Sequence, residues 1–113
     1  MTNLVEGYEE LAAVLASAYQ QAAQGKGAER HANGLAFHEQ RMQGISQLLD
    51  SADGMAFQAV KKMTEGLGLA HAARERELLG AINYLAGMVI FFRAQHGLLE
   101  CQLPPPPPIE VAQ

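Results

Sequence analysis

The chain holds 113 residues, of which 49% are hydrophobic and 18% charged, a globular composition that excludes disorder throughout and leaves room for one domain. Such a length buries roughly 60–70% of its unfolded surface. A net charge of -4 argues against a broad nucleic-acid binder, which usually shows a basic stripe, and a single cysteine, Cys101, excludes an internal disulfide.

A lone cysteine fits a reducing compartment. Met1 to Glu10 carries acids where a signal peptide would carry lysines ahead of an apolar run. The longest uncharged apolar run, Leu78 to Phe92, is shorter than the ~20 residues that a membrane span needs. The expectation is a soluble protein of a bacterial cytoplasm, with no membrane and no nucleic acid among its partners.

Thr2 or Asn3 is placed to cap a first helix, with Glu6, Glu9 and Glu10 near its positive end. Val5, Leu11, Leu15 and Ala18 form its apolar stripe, flanked by Tyr8 and Tyr19, and the helix fades at Gly25-Lys26-Gly27. A polar connection, GKGAERHANG, follows over residues 25–34.

The second helix is predicted from Ala36 to about Asp50, with Phe37, Met42 or the stem of Arg41, Ile45, Leu48 and Leu49 inward. Ser51 or Asp53 can cap the third helix, predicted from about Met55 to Leu67. Phe57, Val60, Met63 or Thr64, and Leu67 give that helix an apolar side; Gln58, Lys61, Lys62 and Glu65 give it a polar one. The fourth helix runs from about His71 to Gln95 and is apolar nearly all round from Leu78 to Phe92. Such a helix is either central in a bundle or shared with a second subunit, where Met88, Ile90, Phe91 and Phe92 would be hidden in a symmetric contact.

Pro104 to Pro108 cannot continue a helix and favour polyproline II, either as a stiff exposed tail or as a segment that docks on an aromatic groove. The predicted fold is an all-α, compact bundle of about four helices over residues 1–98, with a disordered proline-rich tail over 99–113.

The candidate chemistry gathers in two places. In the loop around Lys26, Arg30 and His31, glycines beside Lys26 let backbone N–H groups approach an anion, and Lys26 and Arg30 would neutralise a phosphate, with Lys62 as a further phosphate contact. The GKG spacing is not that of a Walker loop. Gln58 and Lys62 share a helix face at i, i+4, and Asn83 interrupts the apolar fourth helix. A buried Asn83 needs a partner, either a neighbouring group or the polar edge of a ligand. Phe37 or Phe57 would supply stacking. His31, His38 and Glu39 form a conceivable metal set without the spacing of a known zinc motif, and nothing marks a nucleophile.

Two stretches resemble the MazG-like all-α nucleotide pyrophosphohydrolases: Glu77 to Ala86, ELLGAINYLA, and Lys62 to Leu69, KMTEGLGL. The resemblance implies a helical scaffold, with Glu65 and Glu77 matching metal-binding acids. Gly66 and Gly68 stand where further acids belong, and Ala81 replaces the aspartate after the glycine, so the magnesium set is incomplete. The order AYQQAAQGKGAERHANGLAFHEQ, FQAVKK, ELLGAINYLAG also resembles small proteins of phages and prophages, which implies a counter-defence role by binding.

These readings lead to three expectations. The first is a non-enzymatic homo-oligomer without cofactor or metal. It sequesters a nucleotide-like small molecule through Lys26, Arg30, His31, Gln58, Lys62 and Asn83. The second is an inhibitor that binds a host defence protein, and the third is a divergent pyrophosphohydrolase.

Overall fold

The computed structural model of the chain describes residues 4–24, 37 and 40–97. Four helices form the fold: α1, Glu9–Gln24; α2, Arg41–Leu49; α3, Asp53–Gly66; and α4, His71–Gln95. The all-α bundle of four helices is as expected. The polar connection after Gln24 and the proline-rich segment lie outside the described residues.

Helix α1 begins later than a cap at Thr2 or Asn3 would set it. Gly7 takes φ +92°, a left-handed conformation open to glycine, and its N–H donates to Glu9 Oε1 at 2.9 Å. The acid thus turns back on the chain ahead of the helix, and Glu9 and Glu10 still occupy the first turn.

Helix α2 starts at Arg41 rather than Ala36 and ends on Asp50, held left-handed at φ 52°. There the Asp50 N–H donates to the Gln47 carbonyl and the Ser51 N–H to the Ser46 carbonyl, satisfying the last carbonyls of the helix. Ser51 then accepts a hydrogen bond from the Asp53 N–H at 3.1 Å, so it supports the first turn of α3 from just outside the helix. A tight turn over 67–70 follows α3, closed by Arg74, whose guanidinium donates to the Leu69 carbonyl. α4 has the predicted ends.

All three other helices pack on α4. Its contact with α3 rests on small residues. Ala73, Gly80, Gly87 and Ala94 recur every seven positions, Gly80 and Gly87 are buried, and Ala73 and Ala94 are half-buried. A Cβ added at Gly80 would come within 2.9 Å of Lys62 Cδ, and one at Gly87 within 2.9 Å of Met55 Sδ. A side chain at either position would have to displace its neighbour: the flexible stem of Lys62 at Gly80, the core Met55 at Gly87. The core beside this seam joins Ala52, Met55 and Phe91, with Met42, Tyr84 and Met88 packed on it.

Met42 packs on the core as expected, but most of the other residues expected inward on α2 and α3 point outward. Phe57, Val60, Met63 and Leu67 of α3 are exposed, while Met55, Ala59 and Gly66 are buried. On α2, Ile45, Leu48 and Leu49 are exposed, and Gln43 and Ser46 are buried in their place. α1 likewise buries Ala12, Ala16 and Ala18 and leaves Leu11 and Leu15 exposed. Close approach of the helices selects small side chains for the contact and turns the bulky ones away.

On α4, Phe91 is buried in the chain's own core and Met88 packs beside it, so neither is free for a symmetric contact. Among the described residues, α4 is the helix long and apolar enough to cross a membrane, by length and composition. The uncharged run from Leu78 to Phe92 is only part of that 25-residue helix.

Candidate functional site

The residues expected to hold a ligand divide into two groups. Lys26, Arg30, His31, His38 and Glu39 lie outside the described residues. Gln58, Lys62 and Asn83 are described, and the latter two have internal partners. Lys62 and Gln58 share one side of α3, as their spacing predicts, but both are half-buried rather than solvated. The Lys62 ammonium reaches Glu77 on α4 at 3.6 Å, with side chains 24% and 32% exposed. Its stem covers Gly80.

Asn83 donates from Nδ2 to the Ala18 carbonyl at 2.9 Å, and Gln21 donates from Nε2 to the Arg76 carbonyl at 3.1 Å. Moving up α1 means moving down α4 across these two bonds, so the helices run antiparallel. Asn83 is therefore one of two polar ties between α1 and α4, the structural alternative left open by the sequence.

Glu65 is exposed, and Glu77, the second acid of the pyrophosphohydrolase resemblance, faces Lys62. No group of three or more His, Cys, Asp or Glu residues is placed to hold a metal among the described residues. Converging carboxylates, which magnesium and a triphosphate require, are absent from that set. Phe57, a candidate for stacking, is 64% exposed and Phe37 is half-buried.

Sequence reasoning missed Gln43. It is 3% exposed, and its Nε2 donates to the Gly87 carbonyl at 2.7 Å, with Met55 Sδ at 3.9 Å. Its Oε1 has no hydrogen-bond partner among the described residues. The signal available was a glutamine flanked by Met42 and Gly44 at a level facing a helix glycine, too slight to separate from a surface position. Tyr84, beside the same core, has its phenol pushed above the usual range by burial.

What the described surface offers most plainly is apolar. Leu48 is 85% exposed, and Phe57, Val60 and Leu67 line one side of α3. A second stripe on α4 joins Leu78, Ile82, Leu85, Val89 and Phe92 on the side away from the small-residue seam. Stripes of this kind mark interaction surfaces more strongly than scattered apolar side chains do. No protein family, curated protein or solved structure matches the chain.

Proposed function

We propose that this chain is a non-catalytic helical module that binds another protein through the outward apolar face of α3 and α2. The observation that carries the reading is the position of Phe57, Val60 and Leu67: at helical spacing, each on one side, and each more than half exposed. An amphipathic face left to water in a small bundle is matched by a groove or helix of a partner. The resemblance to small phage proteins adds the class of partner, a host defence protein in the bacterial cytoplasm, and the mode, occlusion by binding.

This reading takes precedence over sequestration of a nucleotide because Lys62 and Asn83 already have partners within the bundle. It is tested by thermal unfolding of the purified chain with mono-, di- and cyclic nucleotides and ADP-ribose relatives, with and without magnesium. The expected result is no shift. A ligand at 100 times its dissociation constant adds about 2.7 kcal/mol, several degrees for a domain this size. Such a shift would return the function to a small molecule, and one that needs magnesium would return it to the pyrophosphohydrolase resemblance.

A further inference from the structure

The α4 stripe has a further property: it matches itself. Leu78, Ile82, Leu85, Val89 and Phe92 follow one another in steps of four, three, four and three, the 3.5-residue period at which two helices keep one seam in contact. Leu85, Val89 and Phe92 are 49%, 51% and 47% exposed, and Leu78 and Ile82 are half-buried. The same steps continue outward to Glu75 at one end and His96 at the other, both exposed.

We infer that two copies of this chain pair through the α4 stripe, antiparallel, about a two-fold axis near Leu85. A two-fold contact must be self-complementary, and the order of bulky residues reads nearly the same in either direction from Leu85. The ends set the direction. In the antiparallel pair, the Glu75 carboxylate of one copy faces the His96 imidazole of the other, which can donate a hydrogen bond. In the parallel pair, carboxylate would face carboxylate. Phe91 and Met88 take no part, because they belong to the core of each copy. The inference does not depend on the partner-binding face of α3 and α2, which the pairing leaves open.

The test uses the full chain. Light scattering at micromolar concentration is expected to give the mass of two chains, and Leu85→Glu with Val89→Glu to give one, with helix content by circular dichroism unchanged. A spin label at exposed Ala72, off the stripe, in a Cys101→Ser background reads direction without touching the seam. Residue 72 lies 13 positions from the axis, so at 1.5 Å per residue the two labels of an antiparallel pair stand about 40 Å apart along the helices. Parallel helices at the usual 8–10 Å spacing would bring them within about 20 Å. A one-chain mass for the unaltered protein, a dimer that survives both glutamates, or a short label distance would each overturn the inference.

Discussion

The Lys62 stem on α3 lies across Gly80 of α4, close enough that a Cβ at position 80 would meet Lys62 Cδ at 2.9 Å, while its ammonium turns to Glu77 at 3.6 Å. The charge read as a ligand contact is thus part of how two helices fit together. The glycines of α4 differ in what they face, which separates their expected behaviour on substitution.

Gly80→Ala meets the far part of a flexible side chain that is partly in solvent. Lys62 can swing away, and alanine adds up to about 1 kcal/mol of helix propensity. The stability of that variant is expected to stay within about 1 kcal/mol of the original. Gly87→Ala meets Met55 Sδ, 1% exposed in the core, and comes within 3.5 Å of Gln43 Nε2. Overpacking there is expected to lower stability by about 1–3 kcal/mol, read as a lower urea midpoint at unchanged slope. Equal effects of the two substitutions would contradict the packing described.

Lys62→Met keeps the stem over Gly80 and removes the charge. A pair this open to solvent contributes about 0–1 kcal/mol, so only a small loss is expected, and added salt should narrow the difference from the original protein. A large loss, insensitive to salt, would mean that the ammonium has a partner beyond Glu77.

Asn83 ties α4 to α1 through one donor. Asn83→Ala is expected to lower stability by about 0.5–1.5 kcal/mol. Asn83→Asp should be worse near neutral pH, since a carboxylate would face the Ala18 carbonyl. Its folded-state pKa would be raised, so the added loss should lessen as pH falls through the carboxyl range and the acid regains a donor. A variant that loses no more at neutral pH than Asn83→Ala would contradict this role.

For Tyr84 the sign runs to alkali. Burial raises its pKa in the folded chain above the ordinary 10.0, so the folded state holds the proton more tightly than the unfolded one. Its contribution is whole below the unfolded value and is lost as pH rises through the folded one. Tyr84→Phe is expected to flatten the fall in stability that begins near 10.0, measured by denaturant unfolding across alkaline pH.

The helix count, the ends of α4 and the central place of α4 were legible in the sequence because they rest on periodicity and on Gly66 and Gly68 after α3. The inward faces of α2 and α3 were not. Amphipathic reasoning places Phe57, Val60 and Leu67 inside, yet Ala59, Gly66, Gly80 and Gly87 bring the helices too close for them. The seven-residue recurrence of Ala73, Gly80, Gly87 and Ala94 carried that information, and it competes with the larger residues that dominate any hydrophobic pattern. Asn83 and Lys62 were legible as unusual, but whether a ligand or a neighbouring helix satisfies them depends on contacts distant in the chain.

The claim that α3 presents a protein-binding face is tested most directly by photo-crosslinking from Phe57→p-benzoylphenylalanine in living bacteria that express the chain, with adducts identified by mass. The account predicts one discrete adduct with a different polypeptide, lost when Leu67→Glu is added while the fold is retained. No adduct, an adduct with a second copy of this chain, or one indifferent to Leu67→Glu would contradict it.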